Sequence, residues 1–392
     1  MEDSHKYAAR GVSASKSEVH DAIKNLDKGL YPLAFCKILP DIVGASREYC
    51  NIMHADTAGT KTSLAYIYWK ETTDRSVWRG VTQDSIVMNV DDMACVGCVD
   101  NIVLSSTIGR NKNLIPGDVL KEIIQYTEAF CDMLRSHGVG IHLAGGETAD
   151  VGDIVRTIDI GFTTFSRMRK NQLIVNDIKG GNVIVGFSSS GQASYESEYN
   201  GGMGSNGLTS ARHDVFHSEY RSKYPDSYDH NSPIELMYCG QKSLVDEIDI
   251  EGVGKINIGK LVLSPTRTYL PLIKRIVEDK IPIDGMIHCT GGAQTKVMKF
   301  VNKKKIVKDS MFPLPPLFQL IEEQSGTHRK EMYQVFNMGH RLEVYTDQSH
   351  AESLISLASS FSIDARIIGY VEEAQQNSVM IKDELGEYHY HM

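Results

Sequence analysis

Apolar and polar positions along the chain change period several times, and each change marks an element. Ala34 to Val43 and Asn51 to Ala55 are short apolar runs that predict strands. Lys61 to Lys70 fits either a strand or the opening of a helix. From Thr82 to Cys98 the residues Ile86, Val90, Met93 and Ala94 recur at helical spacing as one apolar stripe. Asn101 to Thr107 reads as a β-branched strand. Pro116-Gly117-Asp118 opens a helix with proline near its first turn. Val119, Ile123, Ile124, Ala129, Phe130 and Leu134 give that helix its buried face, and His137-Gly138-Val139-Gly140 stops it. Ile154 to Thr164 alternates as a strand does.

A second unit begins near Lys170, which predicts domains at 1–169 and 170–392. Asn182 to Phe187 is a strand running into the polar stretch Ser188-Ser189-Ser190-Gly191. The glycine-rich segment Gly201-Gly202-Met203-Gly204-Ser205-Asn206-Gly207 precedes a helix from Leu208. Tyr269 to Val277 and Phe318 to Glu323 predict helices, and Leu342 to Tyr345 and Ala365 to Val371 late strands. Lys303-Lys304-Lys305 reads as a solvated charge run.

Length supports two domains, since 392 residues exceed what one core usually serves. Apolar residues make up 41% and charged residues 23%, as in ordinary globular proteins. A net charge of −9 argues against a general nucleic-acid binder, although a local cationic pocket would still accept a phosphorylated substrate. No apolar run approaches the roughly 20 residues that span a bilayer. Met1-Glu2-Asp3-Ser4-His5-Lys6 lacks the pattern of a signal peptide. Seven cysteines, an odd number, make no disulfide framework, so the expectation is a reducing cytoplasm and no membrane partner.

Five segments carry candidate chemistry. His54-Ala55-Asp56-Thr57-Ala58-Gly59-Thr60-Lys61 packs an acid, a small-residue turn, a hydroxyl and a lysine into eight residues, the groups a polyphosphate and its magnesium require. It is not a Walker A loop, and a polar strand-to-helix turn has the same composition. Asp84, Asn89, Asp91 and Asp92 form the second cluster, with Asp84 and Asp91 on nearly one helix face. Like charges this close call for solvent or a bound cation. Leu143-Ala144-Gly145-Gly146-Glu147-Thr148-Ala149-Asp150 reads as a Gly-rich turn that lets backbone approach a ligand, with Glu147 available to metal or substrate. Gly204-Ser205-Asn206-Gly207 ahead of a helix offers backbone N–H groups to an anion. His288-Cys289-Thr290-Gly291-Gly292-Ala293 is another small-residue turn, its histidine either structural or a proton carrier. Cys95 and Cys98 make a CxxC without a second pair at zinc spacing, and packing is the simpler reading.

Taken in order, these segments resemble the aminoimidazole ribonucleotide synthetase family, also called phosphoribosylformylglycinamidine cyclo-ligases. Tyr7-Ala8-Ala9-Arg10-Gly11-Val12 looks like the family's Y-x-x-x-G-V, and Asp56 to Lys61 like its D-G-V-G-T-K loop. Asp84 and Asp92 stand apart as the aspartates of its D-x-V-x-x-x-x-N-D helix do, and Gly145 to Ala149 match G-G-E-T-A. Ser205-Asn206-Gly207 match S-N-G, Pro265 to Tyr269 are similar to P-T-R-x-Y, and His288 to Gly292 to H-x-T-G-G. Glu331 to Gly339 match E-M-Y-x-x-F-N-x-G.

The resemblance implies two α/β domains in an α+β arrangement. The N-terminal strands of both subunits of a homodimer would form a β-barrel, and the C-terminal domain would be mixed α/β. It implies a cytoplasmic step of purine synthesis in which ATP phosphorylates the formamide oxygen of formylglycinamidine ribonucleotide before ring closure. On it, Asp56, Asp84 and Asp92 hold Mg²⁺, and Asp56, Gly59, Thr60, Lys61, Gly145 and Gly146 bind ATP. Lys61, Glu147 and His288 are its catalytic set, and Ser205, Asn206, Gly207, Thr290 and Gly291 line the substrate.

The chain also departs from the family pattern. Thr57 and Ala58 replace Gly and Val, Asp91 stands where the family has Asn, and Gly204 replaces a histidine. Segments 192–203 and roughly 226–259 are insertions. Two other readings remain: another ATP-using superfamily member, such as a thiamine-monophosphate kinase or selenophosphate synthetase, and a non-catalytic nucleotide-binding dimer.

Overall fold

The computed structural model describes residues 9–12, 22 and 24–392. Tyr7 and Ala8 of the N-terminal motif lie outside the described residues. Arg10 lies within them, and its guanidinium grips both oxygens of Asp214 at 2.6 and 2.9 Å.

Five strands form the first sheet: β1 (Ile38–Pro40), β2 (Tyr49–Thr57), β3 (Ile102–Arg110), β4 (Ile141–Asp150) and β5 (Ile158–Arg169). Their spatial order is β1-β2-β5-β3-β4, with only β3 and β4 parallel. Among the described residues of one chain the sheet is open, its edges being β1 and β4. Side-chain alternation puts Ile52, Ile160 and Phe162 on the face covered by the Val77–Ala94 helix, and Met53, Thr57, Val103 and Thr107 on the outer face. The helix is buried at every residue except Arg79, because its other sides meet the Gly117–Ser136 and Leu270–Glu278 helices. That enclosure places Asp84, Asp91 and Asp92 in the interior rather than on a wet edge.

The second sheet holds β6 (Val183–Ser188), β9 (Gly285–His288), β10 (Lys304–Lys308), β11 (His340–Thr346), β12 (Ala365–Glu373), β13 (Ser378–Asp383) and β14 (Gly386–His391). A small hairpin, β7 (Glu247–Ile250) and β8 (Gly254–Asn257), lies within the second insertion. The order is β14-β13-β10-β12-β6-β11-β9, and β10 and β13 are its one parallel pair.

Several elements differ from the pattern-based expectation. Of Ala34 to Val43 only Ile38–Pro40 is strand. Lys61–Thr72 is helix. The Thr82 to Cys98 helix runs from Val77 to Ala94, because Gly97 at φ +83° turns the chain under Gln172. The strand expected from Ile154 begins at Ile158. The Gly-rich turn of Leu143 to Asp150 is instead strand β4, mostly exposed as an edge, with a register break opposite Leu104 to Ser106. The lysine run is not simply solvated: Lys304 and Lys305 lie in β10 and reach Glu373 at 3.0 Å and Glu372 at 2.8 Å across β12.

Strand β11 is buried end to end yet carries His340, Arg341 and Glu343. Glu343 accepts from Lys308, from His340 at 2.9 Å and from Tyr345 at 2.6 Å. Burial works to raise its carboxyl, but Lys308 and His340 outweigh it and hold Glu343 at about 2. Lys308→Met leaves that carboxylate without its cation and should cost about 3–5 kcal/mol in urea unfolding, with part recovered in Lys308→Met/Glu343→Gln. An unchanged midpoint would mean the pair is not a core element.

Candidate active site

The loop after β2 is open on one side and closed on the other. Asp56 is exposed at the end of the strand and accepts from the Thr57 amide at 2.8 Å. Gly59 adopts φ +63° with nothing within 4 Å of a Cβ position, so backbone there is free to approach a ligand. Thr60 Oγ1 meets Thr209 Oγ1 at 2.7 Å, joining the loop to the Leu208–Val215 helix. Lys61 turns inward and is fully buried. Its ammonium donates to Asp84 Oδ1 at 2.9 Å, the Ser264 carbonyl at 2.5 Å and the Gly204 carbonyl at 3.3 Å, a full set of three bonds. Burial pulls Lys61 below the usual lysine range, opposed by Asp84.

The helix aspartates divide by partner. Asp84 Oδ1 also accepts from the Thr266 amide and hydroxyl, both at 2.6 Å. Asp91 accepts from Thr268 Oγ1 at 2.6 Å and the Tyr269 amide at 2.7 Å, and burial raises it to about 7. Asp92 faces His288 Nδ1 at 2.7 Å and His54 Nε2 at 3.4 Å. Arg341 Nε donates to His288 Nε2 at 3.1 Å, so His288 is neutral with its proton on Nδ1. Burial draws His288 down to about 4 against the pull of Asp92. For Asp92, burial is outweighed by Lys296, His288 and His54, and its carboxyl lies far below the usual range. For His54, burial is outweighed by Asp92, which raises the ring.

These shifts set an acid sensitivity. His288 titrates near 6.5 when unfolded, so between there and about 4 the unfolded chain binds the extra proton and stability falls with pH. Asp92 continues the loss below about 3.9, while Asp91, raised to about 7, and His54 act oppositely, each losing its contribution as pH rises through its raised value. Urea unfolding of His288→Gln should therefore show a shallower loss between pH 6.5 and 4.5 than the parent; parallel curves would contradict it.

The loops of the second unit come to the same place. Asn206 Nδ2 lies 3.8 Å from a Cβ position on Gly291, so the Ser205-Asn206-Gly207 and Thr290-Gly291 turns are neighbours. Gly207, at φ +80°, caps the Leu208–Val215 helix, and a Cβ there would strike the Phe336 ring. Thr290 accepts from Lys296. Gly204, also at positive φ, leaves the space that Arg341 Nη1 fills, 2.4 Å from a Cβ position. Among the described residues, Asp84 Oδ2, Ser205 Oγ and Arg341 Nη1 are enclosed polar atoms without a hydrogen-bond partner.

Glu147 is not brought to this cluster within one chain. It aligns with Thr107, Gly161 and Thr57 across the first sheet, on the outer face, whereas Asp56 aligns with Phe162 on the helix side. β5 and β3 separate β2 from β4, roughly 14 Å in all. Gly145 and Gly146 sit beside Glu147, and a Cβ on Gly146 would lie 2.0 Å from Ser106 Oγ.

Nor do Asp56, Asp84 and Asp92 make one ion site in the chain. Lys61 already supplies the positive charge at Asp84, and the oxygens of Asp92 face histidines, not the oxygen shell Mg²⁺ needs. Among the described residues, the one group of three metal-capable side chains within 4.8 Å is Cys289, His340 and Glu343, where Lys308 already neutralises the carboxylate. Cys95 and Cys98 are buried and both thiols are pushed up by that burial, which fits packing.

Sequence reasoning gave His54 no role within its segment, and it missed Arg341 and the Arg267–Glu196 pair, whose bonds of 3.0 and 2.6 Å sit behind the P-T-R turn. The signal for Arg341 was available: two basic residues and a glutamate inside a seven-residue apolar strand require partners.

The model for the N-terminal domain of AIR synthase related protein matches residues 40–168, and that for its C-terminal domain matches residues 179–382. A phosphoribosylformylglycinamidine cyclo-ligase of Methanocaldococcus jannaschii is 27% identical over 333 residues, 83% of this chain and 79% of its own. That of Methanococcus vannielii is 28% identical over 370 residues, 92% of this chain and 87% of its own. Among solved structures, T. maritima PurL complexed with ADP superposes with a TM-score of 0.54 at 12% identity, over 98% of this chain and 50% of that one, so this chain spans half its length. AaThiL complexed with AMPPCP and TMP gives 0.51 at 14% identity over 96% of each chain. At such identities the structural likeness is one of fold. No helix among the described residues is long and apolar enough to cross a membrane.

Proposed function

The chain belongs to the AIR synthase related family, and we propose from that premise that it closes the imidazole ring of formylglycinamidine ribonucleotide at the expense of ATP. An amide oxygen is a poor leaving group and a phosphate is a good one. ATP phosphorylates the formamide oxygen, a substrate nitrogen attacks the activated carbon, and the oxygen departs in inorganic phosphate, leaving aminoimidazole ribonucleotide and ADP. The observation that carries this reading is convergence: the Asp56–Lys61 loop, the Gly204–Gly207 turn and the His288–Gly291 turn meet through Thr60–Thr209, Lys61–Gly204 and Asn206–Gly291.

In this reading the open backbone at Gly59 and Thr60 receives the ATP phosphates. Lys61 draws the Gly204 and Ser264 segments against the nucleotide loop. Ser205, Asn206, Gly207, Thr290 and Gly291 line the substrate. Exposed Asp56 would help hold a Mg²⁺ brought in with ATP, which would supply positive charge against the transferring phosphoryl group. Asp84 and Asp92 act behind it by fixing Lys61 and His288.

The unit boundary falls at 169/170, supported by the end of β5 at Arg169. A homodimer supplies the rest. The outer face of the first sheet exposes Met53 at 60% and Val103 at 39%, and a second copy laid on it would form the shared barrel and bring Gly145, Gly146 and Glu147 toward the partner's nucleotide. A coupled assay with purified protein, formylglycinamidine ribonucleotide, ATP and Mg²⁺ should yield aminoimidazole ribonucleotide and ADP. ATP binding without product would favour a different substrate or a non-catalytic dimer, the reading that the fully engaged Lys61 ammonium supports.

A further inference from the structure

A cavity of about 640 Å³ lies against the same Ser264–Tyr269 segment that holds the helix aspartates. Ser264, Pro265 and Thr268 line it, while Thr266 and Tyr269 bond Asp84 and Asp91. One wall is made by the Val77–Ala94 and Gly117–Ser136 helices. The other is built from the two segments that the sequence marks as insertions: Tyr199 and Asn200 from the first, Lys255 and Ile256 from the second. The volume falls in the range of small-molecule sites, roughly 300–1,000 Å³. None of the residues assigned above to ATP or substrate lines it.

The lining defines a ligand chemistry. Tyr126, Phe130 and Tyr199 offer rings for a flat apolar body. Three cations stand around them in a chain of net charge −9: Arg79, Lys255 and Lys260. Each is paired with an acid, Arg79 with Glu122, Lys255 with Glu247 at 3.6 Å and Lys260 with Asp74 at 3.3 Å. The Lys255–Glu247 pair is exposed on both sides, and such pairs contribute about 0–1 kcal/mol, so an acidic ligand group can replace that carboxylate at little cost. Of the two acids in the lining, Glu196 repels such a group little because Arg267 holds both its oxygens, and Glu198 is exposed and lies 3.8 Å from Lys260.

The cavity wall is also wired to the site. Tyr126 donates to Gln83 Oε1 at 2.8 Å, Gln83 Nε2 donates to the Thr266 carbonyl at 2.9 Å, and Thr266 donates to Asp84. Tyr195, from the first insertion, donates to the Thr268 carbonyl. We propose that this cavity binds an aromatic or heteroaromatic molecule bearing one acidic group, and that the ligand tightens the Ser264–Tyr269 segment on Asp84 and Asp91.

The test uses the full chain and 8-anilinonaphthalene-1-sulfonate, an aromatic body with one sulfonate. Fluorescence titration should saturate at one probe per chain. Ala129→Trp, which puts an indole into the cavity from an exposed helix position, should weaken binding by about tenfold or more, as should Lys255→Glu/Lys260→Glu. The Thr266 and Tyr269 amides should exchange hydrogen more slowly in the complex. Absent binding, equal affinity in parent and variants, or unchanged exchange at those amides would overturn the proposal. Neither readout uses turnover, so failure of the cyclo-ligase reading would leave this result interpretable.

Discussion

Replacing Lys61 by methionine is expected to lower unfolding stability by about 3–5 kcal/mol and to abolish turnover. Lys61 and Asp84 are both fully enclosed, and the ammonium is the cation that compensates the carboxylate. Removing it leaves Asp84 with the Thr266 donors alone, and the Gly204 and Ser264 carbonyls lose their donor. The double variant Lys61→Met/Asp84→Leu removes both charges and should regain most of the stability without regaining activity. Urea unfolding and a steady-state assay on both variants separate the two roles. If Lys61→Met stays as stable as the parent, the buried clasp is not what joins the Asp56–Lys61 loop to the second unit.

Asp92→Asn is expected to lower kcat by about a hundredfold or more in protein that stays folded at 25 °C. The carboxylate bridges His288 and His54, and Arg341 completes the row on the far side of His288. A neutral amide cannot accept from both rings, so the His288 turn loses its fixed orientation beside Thr290 and Gly291. Steady-state kinetics with circular dichroism checks this. Loss of fold would make Asp92 a structural residue, and unaltered kcat would remove the His288 row from the mechanism.

Much of this was legible in the chain because local chemistry and local structure coincide. The Gly117–Ser136 helix follows from its proline start, apolar stripe and glycine stop. β6 and the core of β12 follow from dense apolar runs. β4 was hidden because an edge strand exposed along most of its length lacks alternation, and its two glycines resemble a turn. β10 was hidden because its lysines are balanced by glutamates some seventy residues away, which no local window contains. The same distance hid the site's wiring. The loop, the aspartate helix and the glycine turns each carried their signal, but the Lys61 clasp to Gly204 and Ser264 and the fit of Arg341 into the space beside Gly204 exist only after folding.

In the proposed reaction the formamide oxygen leaves as part of inorganic phosphate. Turnover of formylglycinamidine ribonucleotide labelled with ¹⁸O in the formyl group tests it directly, with mass analysis of the phosphate released. One labelled oxygen is expected in each phosphate formed alongside aminoimidazole ribonucleotide. Unlabelled phosphate, with the label in water or retained in the organic product, would contradict it.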